Sequence, residues 1–192
     1  MPFASSTKVI VKNYAAFYDM VEAHALRHGF KKYSVNVSTI LPKVSEGRAL
    51  AEMFTRPVHL YYSLYSIDNA FRAKWLPNAT PWESALARLA DFQQRTGQPL
   101  TFHWALIKGE NDARADAENI ARALRPYGFQ AKVNLVRFNA HESLPNEESA
   151  EARRAEILEI VRASLIDPER KSRVVPRVGN DVFASCGMFV EK

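Results

Sequence analysis

The stretch PLTFHWALIKGENDARADAENIARALRPYGFQAKVNLVRFN, residues 99–139, contains a complete strand–helix–strand unit. Its two ends, residues 99–109 and 130–139, are short and largely apolar, as in buried strands. The middle, residues 111–128, has apolar side chains at helical spacing and ends at a glycine. Because a helix of this length returns the chain to the same end of the sheet, the two strands are predicted to run parallel, with a right-handed crossover.

The same alternation extends to both sides of this unit. Two further strands are predicted, one ending near Ser38 and one at residues 57–66. Helices are predicted in the other segments, at residues 9–28, 43–54, 80–97 and 146–165. We therefore expect an α/β fold with about four parallel strands, an incomplete TIM-like barrel, because a closed barrel of this class takes eight. An open sheet has a bare edge, which we expect a second copy or a separate chain half to cover.

Polar side chains follow each predicted strand at the end where parallel α/β folds bind their ligands. Loops and helix N-termini converge there. The residues at these positions are Ser38 and Thr39, Ser63 and Tyr65, Lys108 and Asn111, and Asn139 and His141. The topology alone therefore predicts a ligand site made from members of this set.

The composition indicates a globular protein with one domain, residues 1–192, whose last part, residues 166–192, is a basic segment. Hydrophobic residues make up 47% of the chain, enough for a core. No run approaches the roughly 18 to 20 apolar residues of a membrane helix and no signal peptide is evident, so we expect a cytoplasmic protein without a membrane partner. The net charge of +5 favours a polyanionic partner. Part of it lies in residues 167–179, which form either a solvated surface or an RNA contact.

The chain has one cysteine, Cys186. A single thiol excludes an intramolecular disulfide, a structural zinc site of several cysteines and a self-contained iron–sulfur cluster. From the residues alone, Cys186 is either a small buried hydrophobic side chain or a nucleophile, and nothing in the sequence places a histidine beside it. His24 and His28 have the spacing of zinc proteases but lack the glutamate between them, which argues against a metal site.

Five segments, taken in order, carry a more specific signal. They are VNVSTILP, YYSLYSIDNAFRAKWLP, LTFHWALIKGENDARADAENIARAL, KVNLVRFNAHES and VGNDVFASCGMF. They resemble, in the same order, V-T-x-S-T-x-G-x-x-P, x-I-S-L-H-A-P-N-D-x-L-R-x-x-L-x-P, V-T-I-E-Y-x-L-L-K-G-x-N-D-x-x-x-D-A-x-x-L-A-x-L-L, K-I-N-L-I-P-F-N-P and R-G-x-D-I-D-A-A-C-G-Q-L. These are segments of the RlmN/Cfr family of radical S-adenosylmethionine enzymes, which methylate an adenine of large-subunit ribosomal RNA. The resemblance runs from about residue 33 to residue 189.

The resemblance implies a cofactor site and a reaction. Ser38, Ser63 and Asn139 match positions at which the family holds S-adenosylmethionine, and Tyr65 stands where the family has a histidine of that site. Cys186 matches the family's C-terminal cysteine, which becomes S-methylated. A deoxyadenosyl radical then takes a hydrogen from that methyl group, and the methylene radical adds to adenine. Sulfur suits this chemistry because it accepts a methyl group from a sulfonium and later releases it.

Other features depart from the family pattern. The family's C-x-x-x-C-x-x-C motif, which holds a 4Fe-4S cluster, is absent from these residues, and MPFASS resembles the continuation of the family's G-E-P motif. We therefore expect the chain to begin after the second strand of a six-stranded partial barrel. A cluster is expected only if an upstream segment or a partner supplies its ligands. Arg137, Ala140 and Phe183 replace residues usual in the family and indicate a divergent member.

Three interpretations stay open. The chain is the C-terminal portion of a radical methyltransferase of ribosomal or transfer RNA, inactive in isolation because the cluster ligands are elsewhere. Alternatively, it is one half of a split enzyme that docks with a separate N-terminal half. In the third interpretation it is a non-catalytic module that binds RNA or a nucleoside. Whether the chain is itself an enzyme depends on which of these holds.

Overall fold

The computed structural model describes residues 13–139, 146–167 and 169–176. In chain order the elements are α1 (Tyr14–Arg27), β1 (Asn36–Thr39), α2 (Leu50–Met53), β2 (His59–Tyr62), α3 (Asn69–Trp75), α4 (Trp82–Thr96), β3 (Leu100–Ala105), α5 (Arg114–Leu124), β4 (Ala131–Val136), α6 (Glu151–Arg162) and β5 (Arg173–Val174). Short 3-10 helices occupy Lys43–Ser45 and Arg125–Tyr127. Strands and helices thus alternate along the described chain, as the sequence predicts.

All strands of the sheet run parallel, in the order β1-β2-β3-β4-β5. The longest pairing joins β3 to β4, from Leu100 opposite Ala131 to Ala105 opposite Val136. A parallel sheet in sequential order, with helices between its strands, is the arrangement of a TIM-like barrel. The predicted α/β class, with a partial barrel, is confirmed.

The sheet has one strand more than the predicted number of about four, because residues 173–174 add a fifth strand, β5. It pairs in parallel with the outer edge of β4. Asp167 shapes the turn before it by accepting hydrogen bonds from the backbone N–H groups of Lys171 and Ser172 and from the Ser172 hydroxyl. A two-residue strand inside a charged stretch shows no alternation of apolar and polar residues, so the sequence pattern missed it.

The edge strand on the other side of the sheet is β1. In the part of the chain that the structure describes, β1 pairs with β2 alone, from Asn36 opposite His59 to Thr39 opposite Tyr62. Helix α1 precedes it and is anchored by Tyr14, whose hydroxyl donates to the backbone oxygen of Pro57 at 2.7 Å. Among the described residues, the sheet edge without a neighbouring strand is therefore that of β1, while β5 lies along the outer edge of β4.

The helices cover one face of the sheet and bury its apolar side chains. The strand residues that point to this face are at most 1% exposed: Leu60, Tyr62, Phe102, Trp104, Val133 and Leu135. They pack in one cluster with inward residues of α4, α5 and α6, among them Leu89, Ile120 and Val161. Burying an aliphatic or aromatic side chain contributes about 1.5 to 3 kcal/mol, so this face supplies most of the stability of the sheet.

The helix ends are well defined, and they set where the loops run. The Asp68 carboxylate accepts a hydrogen bond from the backbone N–H of Phe71 at 2.7 Å and so begins α3. Helix α4 ends at Gly97, whose φ of 63° is a left-handed conformation that glycine adopts without strain. Among the described residues, no helix is both long enough and apolar enough to cross a membrane.

Candidate functional site

The second face of the sheet is polar. Side chains alternate along a strand, so the residues between the buried ones point to this face. They are Asn36 and Ser38 from β1, His59, Tyr61 and the following Ser63 from β2, Thr101 and His103 from β3, and Lys132 and Asn134 from β4. Within the described chain none of them belongs to the hydrophobic core cluster. One face of the sheet therefore serves stability, and the other offers polar groups to a ligand.

Two serines marked separately by the sequence meet on the polar face at one histidine. Ser38 Oγ lies 2.8 Å from His103 Nε2, and Ser63 Oγ lies 2.9 Å from the same nitrogen. Ser38 belongs to β1, Ser63 directly follows β2, and His103 belongs to β3. The hydrogen bonds thus join three neighbouring strands toward their carboxyl ends, where parallel α/β folds bind ligands.

The two histidines of the polar face, His59 and His103, are uncharged at physiological pH. Burial lowers the pKa of His103 from 6.5 to about 4, because a desolvated imidazolium is disfavoured. Burial, with a smaller effect from the positive charge of Lys132, also lowers the pKa of His59. His59 Nε2 lies 2.7 Å from Thr101 Oγ1. His59 and His103 therefore act as neutral hydrogen-bonding groups.

Asn134 extends the polar row onto β4. It lies opposite His103 in the register of β3 and β4. Its side chain is buried, with 7% of the residue exposed, and its Oδ1 has no hydrogen-bond partner among the described residues. A buried acceptor without a donor costs roughly 1 to 3 kcal/mol. This oxygen therefore indicates a place for a ligand that donates a hydrogen bond.

Neither His103 nor Asn134 was predicted as a site residue. Their signal lies in the alternation of the strands LTFHWA and AKVNLV, in which they take positions opposite to the buried Phe102, Trp104 and Val133. A polar residue at such a position in a central strand faces the side of the sheet that the helices leave open. Counting alternate positions in each strand would have assigned both residues to the open face of the sheet, but would not have placed them beside the serines.

Tyr65 and Asn139 lie on the segments that follow β2 and β4, outside the hydrogen bonds that link the two serines. Tyr65 has a φ of 57°, and Leu41, which follows β1, has a φ of 49°. This left-handed conformation is uncommon for residues other than glycine, and such residues cluster at functional sites. The Tyr65 ring stacks on Phe71 with centroids 6.5 Å apart. The two strand-end segments are thus held in constrained conformations next to the serines.

Asn111, a predicted strand-end candidate, holds the loops together. It is 2% exposed, and its Oδ1 accepts a hydrogen bond from the backbone N–H of Ile107 at 2.7 Å. Its Nδ2 donates to the backbone oxygen of Tyr65 at 3.1 Å. Lys108, the other candidate after β3, forms an exposed ion pair with Glu147 at 2.6 Å. Asn111 therefore supports the segment that carries Tyr65, and its own polar atoms are used within the protein.

Cys186 and His141 lie outside the described residues. No group of three or more His, Cys, Asp and Glu residues in the described ranges is placed to hold a metal ion. A separate cavity of about 220 Å³ is lined by Ser66, Ile67, Asp68, Asp116 and Asn119. Burial, together with the charges of Asp68 and Asp112, raises the pKa of Asp116. This acidic cavity contains neither serine of the His103 cluster, so the two sites are different.

Known proteins resemble the chain over most of its length, although no protein-family model matches it. A probable dual-specificity RNA methyltransferase, RlmN 2 of Opitutus terrae, is 35% identical over 139 residues, which are 70% of this chain and 31% of that protein. The dual-specificity RNA methyltransferase RlmN of an Anaeromyxobacter species is 34% identical over 159 residues, 81% of this chain and 39% of that protein. The chain is therefore similar to one part of these RlmN proteins.

A solved structure supports the same relationship. The crystal structure of a radical SAM methyltransferase from Sphaerobacter thermophilus superposes with a TM-score of 0.72 at 28% identity, over 93% of this chain and 51% of that one. The chain spans 31% to 39% of the length of the two RlmN relatives above. The resemblance of the five sequence segments to the RlmN/Cfr family is thereby confirmed.

Proposed function

We propose that the polar face of this RlmN/Cfr relative binds S-adenosylmethionine and takes part in methylating an adenine of ribosomal or transfer RNA. The observation that carries the proposal is the meeting of Ser38 and Ser63 at His103. Both serines match cofactor positions in the family segments, although they are far apart in the sequence. The two serines lie together at the carboxyl ends of parallel strands, which is where folds of this class bind their ligands.

The residues of this face suit the proposed cofactor. S-adenosylmethionine has ribose hydroxyls and amino groups that donate hydrogen bonds. The face offers two serine hydroxyls, and the Asn134 oxygen has no partner among the described residues. Tyr65 and Asn139 are proposed further contacts at the same end of the sheet. When bound, the cofactor supplies the methyl group and, together with an iron–sulfur cluster, the radical; the residues named here bind and orient it.

Cys186 is the proposed methyl carrier. The support is the match of VGNDVFASCGMF to the family segment that carries the methylated cysteine. A thiolate is the soft nucleophile that this step needs. Since the 192 residues hold one cysteine, they do not fit a 4Fe-4S cluster by themselves. The cluster ligands are proposed to come from another segment or from a partner chain.

The unpaired side of β1 is the proposed docking edge for that segment or partner. Within the described residues β1 pairs with β2 alone, so its outer backbone groups are available for a further strand. A second copy of the chain is the alternative occupant. Analytical ultracentrifugation distinguishes them, because a self-associating edge gives a dimer and an edge reserved for another segment gives a monomer.

Arg170, Lys171 and Arg173 are the proposed RNA contact. All three are exposed at the turn into β5 and within that strand. Cationic side chains bind the RNA backbone by releasing its counterions. We expect replacement of all three by Gln to weaken binding of an RNA hairpin about tenfold and to lower its salt dependence. Replacement of three exposed arginines on the helix side is the matched control and leaves binding unchanged: Arg95, Arg122 and Arg125.

Ribosomal RNA as the proposed substrate implies the cytoplasm as the proposed location of the protein.

Calorimetry with S-adenosylhomocysteine tests the cofactor proposal. Each of Ser38→Ala and Ser63→Ala is expected to weaken binding about fivefold to tenfold, since one hydrogen bond contributes about 1 kcal/mol. Ser84→Ala, at an exposed position of α4, is the control and should bind as the unmodified protein does. Absence of binding, or equal binding by all three variants, would refute the proposal.

A non-catalytic binding module is the second candidate, and the single cysteine favours it. The two candidates differ in the state of Cys186 in protein purified from its native cells. Mass spectrometry that finds S-methylcysteine at this position supports the methyltransferase. An unmodified thiol, together with intact cofactor binding, supports the binding module.

A further inference from the structure

One ring nitrogen serves two hydroxyls in the polar face. The distances from His103 Nε2 to Ser38 Oγ and Ser63 Oγ are 2.8 and 2.9 Å. An imidazole nitrogen carries either one hydrogen or one lone pair. The two hydroxyls must therefore take the same sense toward it, both donating to the lone pair or both accepting from the N–H. A serine hydroxyl without such a partner rotates freely, so His103 removes this freedom from both serines at once.

The His103 ring is itself held in place by its neighbours. The Tyr61 ring meets it edge-on, with centroids 5.6 Å apart and planes 83° apart. Tyr61 in turn lies against the ring of His59, with centroids 4.5 Å apart. A packed imidazole of this kind keeps Nε2 aimed between the serines, which is what a positioning group requires.

Asn134 places a further acceptor next to the residues that bond to each other on the polar face. Its buried Oδ1, opposite His103 on the next strand, has no donor among the described residues. If the serine hydroxyls donate to Nε2, their lone pairs point outward, and the whole row presents acceptors. If they accept from an Nε2–H instead, their own hydrogens point outward, and the row presents donors beside the Asn134 acceptor. When the serine hydroxyls donate to Nε2, all the outward groups are acceptors. Each of them can then bind the same kind of ligand group, a hydrogen-bond donor.

We propose that His103 is a positioning residue whose unprotonated Nε2 accepts hydrogen bonds from both Ser38 and Ser63, and that Asn134 Oδ1 adds a third acceptor beside them. The subsite so formed recognises a ligand group with hydrogen-bond donors, a hydroxyl or an amine. This inference rests on the proposed function in taking S-adenosylmethionine as that ligand. The lowered pKa of His103 agrees with an imidazole that accepts and does not carry charge.

The first experiment needs no ligand. Nitrogen-15 NMR of the histidine side chains in the full chain is expected to show His103 as the tautomer with hydrogen on Nδ1. Ser38→Ala and Ser63→Ala should each shift its Nε2 resonance and leave that of His59 in place. A protonated Nε2, or an Nε2 resonance that neither serine variant moves, would overturn the positioning role.

The second experiment measures binding of S-adenosylhomocysteine by calorimetry. His103→Leu and Asn134→Leu are each expected to weaken binding at least tenfold. His103→Glu, which returns an acceptor to the same place, should bind within about threefold of the unmodified protein, as an acceptor role requires. Ser84→Leu, at an exposed position of α4 on the other side of the sheet, is the control and should change binding less than twofold.

The outcomes separate the two proposals. If the unmodified protein binds and His103→Leu binds equally well, the positioning role fails and the cofactor proposal stands. If His103→Leu weakens binding and His103→Glu does not restore it, the acceptor polarity is refuted. If the unmodified protein does not bind, the cofactor proposal fails, and the NMR experiment alone decides how His103 and the serines are arranged.

Discussion

The two faces of the sheet differ in what their residues do. On the helix-covered face, large apolar side chains such as Trp104 are sealed in one cluster with the helices. On the polar face, Ser38, Ser63 and His103 bond to one another, and Asn134 keeps a buried oxygen without a donor in the described chain. The same strands supply both sets by alternation. Stability and ligand recognition are therefore carried by neighbouring residues with little overlap, and mutations can separate them.

The largest effect is expected on the apolar face. Trp104→Ala should lower the free energy of unfolding by about 3 to 5 kcal/mol, because a large buried side chain leaves a cavity. Tyr61→Ala, on the polar face of the neighbouring strand, should cost about 1 kcal/mol, since that residue is only partly buried. Urea denaturation followed by circular dichroism measures both. Equal losses would break the contrast between the faces.

The pH dependence of stability sharpens the comparison, because His103 has a folded pKa of about 4, below its unfolded value near 6.5. Between these values the unfolded chain binds more protons, so stability falls as pH drops from 6.5 to 4. At the lower end of this pH range, the loss in free energy of unfolding that His103 causes reaches about 3 kcal/mol.

Replacing His103 isolates that contribution from the titration of carboxylates. His103→Gln should lose less stability than the unmodified protein over this interval, as thermal unfolding at several pH values will show. His59→Gln should act in the same direction, since burial lowers the pKa of His59 as well. Parallel pH profiles of the unmodified protein and His103→Gln would contradict the neutral state assigned to His103.

A smaller effect is expected from Asn111, a polar residue with a structural task. Asn111→Ala should cost about 2 kcal/mol, because the buried N–H of Ile107 loses its acceptor and the Tyr65 carbonyl loses a donor. Asn69→Ala, at an exposed position that begins α3, should change stability by less than about 0.5 kcal/mol. Thermal unfolding compares the two. A neutral Asn111→Ala would show that the loops do not depend on it.

The order of elements and the position of the serines were predictable from the sequence because both follow from local patterns. Alternating strands and helices imply a parallel sheet, and polar residues after strands mark its carboxyl end. Ser38 and Ser63 could each be assigned to the carboxyl end of the sheet from the pattern of a single strand. The short strand β5 could not be predicted in this way, because its pairing with β4 depends on a turn built around Asp167.

His103 and Asn134 required knowledge of which residues lie opposite each other across strands. The sequence does not directly specify which residues of neighbouring strands lie opposite each other, so the sequence alone did not place His103 or Asn134 beside the serines. The pairing of β2, β3 and β4 places them in one row with the serines. The register of the strands therefore brings polar residues that are distant in the sequence together in one site.

The most direct test of the central claim is the amide NMR spectrum of the chain during titration with S-adenosylhomocysteine. We expect the largest shift changes at Ser38, Ser63, His103 and Asn134, and no changes at residues on the helix-covered face. Changes concentrated at the acidic cavity of residues 66–68, Asp116 and Asn119, or no changes at all, would contradict it.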